Sequence, residues 1–423
     1  MKSLGLRFLV SLAVMVFGIS SLQAQYVFVD DNNSAANTAT SFLRTGPTLS
    51  LIAGSPFATN GTGFATYFAA NHQAAIAYGP GFPNCLFVSD PGASSGFPFG
   101  DVASFVINPS GTLTYVGNAT DPTNNIVNKR GLSLAVDRRV GFPYLFASFT
   151  GTSHIAFFKV NFTTCQIFFS SATTAIGVNG GAAEGMAVSL NGPHVLVVAF
   201  SDGSVQSFKI LGGTLAPTAP PFNSTGFINQ SAQPAGVDIT KNGKYAIFGD
   251  NQFNTEVEVS KIMPGGVLAP TVDYGGAANA SGVNLGPGSN SNNVWISPAQ
   301  VSGHNYVYVS NNYSGQVTTI QLVQTTGVVS AIPPGSCTGA FTNPTTLQNP
   351  FSSWTFSAGI HTLTTSGAGG AIAVAEYGVP STVALVKVQA PTGCTRETPL
   401  SPFADPNSNN GLYSVSVFPT RPF

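Results

Sequence analysis

The sequence predicts an all-β fold, a seven-bladed β-propeller closed by its C-terminal strand pairing into the first blade. Three observations predict it. A strand of the form Tyr-Val-x-Val recurs seven times. Each copy sits in the same order of neighbouring strands. The two ends carry complementary pieces of one blade.

The recurring strand reads YVFVDD from Tyr26, CLFVSD from Cys85, YLFASF from Tyr144, VLVVAF from Val195, YAIFGD from Tyr245, YVYVSN from Tyr306 and AIAVAE from Ala371. Self-similarity at intervals of 50 to 65 residues is the mark of a repeat architecture. β-branched and aromatic residues fill these runs, and Gly, Pro and Asn separate them, which is strand-and-turn chemistry. After most copies comes a second alternating strand, as in ASFVIN from Ala103, VQSFKI from Val205, VTTIQL from Val317 and VALVKV from Val383. A fourth often follows a Gly-centred turn, as in GTLTYVG from Gly111, GGTLAP from Gly212 and GGVLAP from Gly265. Before most copies lies a strand opened by Gly, such as GLSLAVD from Gly131, GMAVSLN from Gly185 and GIHTLTT from Gly359. The expected blade order is therefore inner strand, Tyr-Val-x-Val strand, third strand, outer strand.

The first Tyr-Val-x-Val copy has no inner strand before it. The segment GLYSVSVFP from Gly411 reads as an inner strand with no copy after it. Joining the two completes one blade and removes the exposed sheet edges of an open array. Residues 25–423 are read as one domain.

The leader, residues 1–24, reads as a signal peptide. Lys2 and Arg7 precede an apolar run from Phe8 to Leu22, and Ala24 suits cleavage before Gln25. No later segment is long and apolar enough for a membrane helix. The expected location is extracellular or periplasmic. With 15 basic against 16 acidic residues and only 7% charged, the chain has no basic stripe for a nucleic acid. Cys85, Cys165, Cys337 and Cys394 have no zinc-site spacing. Four cysteines in an exported chain point to two disulfides, for which three pairings are open. Placement in neighbouring blades favours Cys85–Cys165 and Cys337–Cys394.

The segment YVYVSNNYSGQVTTIQL from Tyr306 resembles the YVTN propeller repeat, and LSLIAGSPFATNG from Leu49 resembles the end of such a blade. The same repeat occurs in lactonase-like propellers, which include phosphogluconolactonase-like proteins. The resemblance spans nearly all of residues 25–423 and implies this architecture. Lactonase-like propellers often place a His in a Pro-His context near the start of inner strands. Here Gln233–Pro234 and Glu184–Gly185 stand at such places, so no catalytic residue carries over.

A propeller binds ligands at its channel mouth, so the residues there are the candidates. The sixth position of the seven copies reads Asp31, Asp90, Phe149, Phe200, Asp250, Asn311 and Glu376, concentrating four acids at one repeat position. Asp and Asn there also brace turns, whereas Glu is a poorer turn former, which singles out Glu376. Arg130 and Glu184 precede the inner strands of neighbouring blades and could hold a carbonyl oxygen and supply a base. Gln233 and Asn410 are neutral residues of the same rim, and His361 lies on an inner strand. The candidate ligand site is thus Arg130, Glu184, Asp250 and Glu376. No Ser-His-Asp signature, phosphate loop or dinucleotide fingerprint is present, and no metal or other cofactor is expected. The first functional reading is a monomeric exported module binding a small polar ligand or a protein partner through its mouth loops. The alternative is a lactonase-like hydrolase or isomerase acting on a small polar lactone or sugar acid.

Overall fold

The computed structural model describes residues 25–63, 74–77, 84–92, 100–123, 132–137, 139, 141, 144–149, 153–223, 234–250, 257–269, 291–297, 304–311, 314–333, 335–347, 356–366, 369–377, 381–406 and 414–418. The leader and Arg130 lie outside them.

Seven antiparallel sheets form the blades. Blade 1 runs Val415–Phe418, Gln25–Asp30, Thr38–Thr45, Thr48–Leu51 from the inner strand outwards. Blade 2 runs Ala74–Ala77, Cys85–Asp90, Asp101–Ile107, Leu113–Ala119, and blade 3 Leu132–Asp137, Tyr144–Phe149, His154–Asn161, Gln166–Thr174. Blade 4 comprises Ala183–Val188, Val195–Phe200, Ser204–Leu211 and Thr214–Pro217. Blade 5 has Pro234–Ile239, Tyr245–Asp250 and Val257–Lys261. Its expected outer strand, GGVLAP, is reduced to the bridge Ile262–Leu268. Blade 6 comprises Ser291–Ile296, Asn305–Asn311, Gln316–Val323 and Val328–Ala331, and blade 7 Phe356–Ser366, Gly369–Tyr377, Thr382–Val388 and Thr395–Glu397. The ring closes within blade 1, where Tyr26 pairs with Phe418 and Val29 with Val415.

Both faces of the Tyr-Val-x-Val strands are buried, which explains their unbroken apolar character. Alternate residues point to opposite faces. In Gln25–Asp30, Tyr26 and Phe28 pack towards Leu86 and Val88 of blade 2, while Val27 and Val29 pack towards Ala373 and Leu385 of blade 7. The described core divides into seven clusters, each shared by two neighbouring blades, including blades 7 and 1. Packing therefore closes the ring as much as strand pairing does.

The recurring first Tyr of the repeat has a specific partner. Tyr26, Tyr245 and Tyr306 donate their hydroxyls to the carbonyls of Pro109, Thr325 and Pro391 in the third-to-fourth-strand turn of the next blade. In those turns Gly111, Gly327 and Gly393 have φ of +80°, +75° and +73°. A Cβ on them would lie 2.4, 2.4 and 2.5 Å from the tyrosine rings, so both the backbone and the contact demand glycine. Between blades 2 and 3 the same two positions are Cys85 and Cys165, joined by a disulfide with a Cα–Cα distance of 5.4 Å. Cys165 keeps the left-handed backbone, φ +61°. The disulfide thus occupies the seat of the Tyr–Gly contact. Cys337–Cys394 ties blade 6 to the turn of blade 7.

This equivalence makes a prediction. Replacing Cys85 and Cys165 by alanine should cost about 2–5 kcal/mol, the usual loss for a native disulfide. Cys85→Tyr with Cys165→Gly should restore about half of it or more, because the pair recreates the neighbouring joints. Urea unfolding of the three proteins measures this. Equal stability of the two double variants would show that the positions are not equivalent.

Candidate functional site

Because the strands alternate in direction in every blade, the end of each second strand, the start of each third and the start of each inner strand lie on one face. The sixth position of each repeat sits at this rim. Its side chains mostly brace the blade. Asp31 accepts hydrogen bonds from the Thr38 and Thr40 hydroxyls of the next strand. Asn311 donates to Thr318, and Glu376 Oε2 accepts from Thr382 at 2.6 Å. Asp90 reaches backwards to blade 1, accepting from Asn37 Nδ2 at 2.8 Å and Thr59 Oγ1 at 2.7 Å. All four side chains are buried.

Glu376, singled out by its residue type, is therefore held inside the wall of blade 7. Burial, opposed by the Thr382 hydrogen bond and reinforced by the charge of Glu397, pushes its carboxyl up to about 8. Asp250 ends its strand opposite Pro234, and its side chain lies outside the described residues, as does that of His361. Arg130, Gln233 and Asn410 fall outside the described residues entirely.

Glu184 has a different setting. It is not ahead of an inner strand but within one, Ala183–Val188. The pairing register with Val195–Phe200 shifts between Ala183 and Gly185, so Glu184 is the extra residue of a β-bulge. A bulge leaves one residue out of the ladder and re-aims its side chain. The same shift recurs on the inner strands of blades 5, 6 and 7, between Pro234 and Gly236, Ser291 and Asn293, and Ser357 and Gly359. Four consecutive inner strands thus break register at the same level, opposite the sixth-position residues Phe200, Asp250, Asn311 and Glu376. Glu184 is partly buried there. Burial, and then the charge of Asp202, push its carboxyl up to about 8.

Asp202, in the Ser-Asp-Gly-Ser turn of blade 4, is the residue that sequence reasoning missed. Burial opposes its charge, but the Ser204 hydroxyl and the backbone N–H groups of Gly181, Asn179 and Ser204 hold its carboxyl below the usual range. The Asn179 and Gly181 amides come from the connection between blades 3 and 4, which folds over the carboxylate at 2.7 and 3.0 Å, and the Ser204 amide comes from Asp202's own turn at 3.1 Å. A Cβ at Gly177 or Gly181 would come within 2.3 or 2.5 Å of it, so this loop requires glycines. In the sequence, Asp-Gly reads only as a turn signal. Blade 4 therefore presents two acids whose environments push them apart: Asp202 charged, Glu184 neutral at pH 7. Such a split is how proton-donor roles are assigned among carboxyls. Among the described residues, no group of three or more His, Cys, Asp or Glu is placed to hold a metal ion.

A proposed 6-phosphogluconolactonase from Bacteroides fragilis superposes with a TM-score of 0.60 at 11% identity, covering 94% of this chain and 99% of its own. The chain shares the fold of the lactonase-like propellers. A second proposed 6-phosphogluconolactonase, from Bacteroides uniformis, matches with a TM-score of 0.59 at 12% identity over 93% of this chain and 99% of its own. The periplasmic gluconolactonase of Pseudomonas aeruginosa matches with a TM-score of 0.58 at 13% identity, again over 93% of this chain and 99% of its own. At such identities the likeness establishes the fold, not the activity. No protein-family model matches the sequence, and no curated protein matches it.

Proposed function

We propose that the protein is an exported lactonase-like hydrolase that opens a small polar lactone at the channel mouth, with Glu184 as its proton donor. The observation that carries this is the bulged inner strand that sets a neutral glutamic acid at the rim beside a charged Asp202. Fold neighbours described as gluconolactonases and 6-phosphogluconolactonases support the substrate class. In the proposed step, water adds to the lactone carbonyl carbon and the ring C–O bond breaks. The Glu184 proton passes to the departing ring oxygen, and its carboxylate recovers a proton from the attacking water. Burial first, and the Asp202 charge second, keep Glu184 protonated; Asp202 does not act on substrate, since its oxygens are already engaged by four donors. Export is proposed on the 1–24 leader together with the two disulfides, which persist in oxidising compartments. Among the described residues no helix is long and apolar enough to cross a membrane.

The test is hydrolysis of glucono-δ-lactone and its 6-phosphate by purified protein, with spontaneous opening subtracted. Activity should be present near neutral pH and fall as pH rises through about 8, where Glu184 loses its proton. A profile with no alkaline limb would remove Glu184 as the acid. No hydrolysis of either lactone, with retained ligand binding, would favour the binding-module reading.

A further inference from the structure

At the ends of blades 1, 2 and 7 one polar residue beyond the outer strand has the same seat, which Ala175 and Leu347 fill in blades 3 and 6. It lies two residues beyond the residue that pairs with the second position of the third strand. In blade 1, Phe57 pairs with Ala39, which puts Thr59 in the seat. Ala119 pairs with Val102 in blade 2, giving Asp121, and Phe403 pairs with Val383 in blade 7, giving Asp405. The segments Ser55-Pro56-Phe57-Ala58-Thr59 and Ser401-Pro402-Phe403-Ala404-Asp405 are visibly the same piece of the repeat.

The seat residue meets the rim of the next blade, and two joints match donor to acceptor. Thr59 donates its hydroxyl to Asp90 Oδ1 at 2.7 Å. Asp121 Oδ2 lies 3.2 Å from His154 Nδ1. The joint between blades 7 and 1 does neither. There Asp405 meets a second acid, Asp31, with both carboxyls fully buried and the Thr40 hydroxyl shared between them. The Thr40 hydroxyl is 2.9 Å from Asp31 Oδ2 and 3.4 Å from Asp405 Oδ1. Two buried carboxyls that share one hydroxyl repel each other unless one of them carries a proton, which would do here the work of the Thr59 hydroxyl. This joint also carries the linker into Val415–Phe418, the strand that closes the ring.

We propose that Asp31 and Asp405 form a proton-operated clasp on the closing joint of the propeller, holding the C-terminal strand while they share one proton and loosening it when both are charged. The groups facing the pair fit this role. The strand Thr38–Thr45 offers the neutral donors Thr38 and Thr40. The blade 7 loop accepts the Asp405 amide at Ser381 O, and Glu376 before that loop is engaged with Thr382. Asp30, next along the chain, is turned to blade 2 and held by Asn37 and the Asn32 amide. Burial first, then the charge and hydrogen bond of Asp405, raise the Asp31 carboxyl well above its ordinary range, against the lowering effect of Thr38 and Thr40. A folded-state value raised in this way gives stabilisation that is complete below the unfolded carboxyl range and is lost as pH rises to the folded-state value.

The experiment is hydrogen exchange at the amides of Val415–Phe418 between pH 5 and 9, corrected for intrinsic rates, on the intact chain and on Asp405→Thr. Protection in the parent should fall by up to about tenfold per pH unit through the titration, one proton's worth of linkage. Asp405→Thr installs the residue of the sister joint and should flatten that dependence while keeping protection at high pH. Should it fail to fold, Asp31→Asn supplies a neutral amide donor, and the same flattening is expected. An identical pH dependence in parent and variant, or none in the parent, overturns the clasp. The measurement involves no substrate, so its outcome is independent of the lactonase reading.

Discussion

Deleting Gly411–Phe423 should abolish cooperative folding of the whole propeller rather than trim one end. The strand Val415–Phe418 is the inner strand of blade 1, and its apolar side chains serve two joints. Val415 and Val417 pack against blade 7 and Phe418 against blade 2, at 4%, 0% and 8% exposure. Full burial of such side chains is worth roughly 1.5–3 kcal/mol each, so their loss comes to about 5–9 kcal/mol. That rivals the whole net stability of a typical protein, about 5–15 kcal/mol. The deletion also leaves Gln25–Asp30 as a bare edge, an invitation to aggregation. Circular dichroism and urea unfolding should show a broad, non-cooperative or absent transition. A truncated protein with the parent's midpoint and slope would show that ring closure does not hold the fold together.

Glu184→Gln should lower lactone hydrolysis by about 10²- to 10⁴-fold, the usual worth of a positioned proton donor. It should also remove the alkaline limb near pH 8, since glutamine keeps the shape and loses the proton. The fold should tolerate the change, because Glu184 is neutral at pH 7 and lies outside the strand ladder at its bulge. Glu376→Gln is the contrast. That carboxyl is equally raised but fully enclosed against Thr382, so the variant should keep activity within about twofold. A comparable activity loss in both variants would mean that the rim responds to general disturbance of its carboxyls. Full activity in Glu184→Gln would place the proton donor elsewhere.

The two variants also separate what repeat position says from what burial says. Asp31, Asn311 and Glu376 share a sequence position and share a task, bonding the threonines of the following strand. Residue type marked Glu376 as the exception among them, but its longer side chain reaches Thr382 and serves the same brace. Asp202 shows the converse. Its Asp-Gly context reads as an ordinary turn, and the Ser204 hydroxyl together with the overlying Gly177–Gly181 loop make it a charged neighbour of Glu184.

Architecture was legible in the sequence because it is written in local terms. The seven Tyr-Val-x-Val runs declare strands buried on both faces. Their spacing sets the blade count, and the unmatched segment from Gly411 announces the partner of Gln25–Asp30. The charge states at the rim were not legible, since they depend on which side chains from different blades meet, and at what burial. Nothing in the spacing of Cys85 and Cys165 shows that they replace a Tyr–Gly contact. Nor does the sequence show that Asp405 meets a second aspartate where Thr59 meets its acceptor. A carboxyl's charge is set by its desolvation and its nearest partners, and across a blade joint those come from residues up to the length of the chain apart. The tertiary structure alone brings them together.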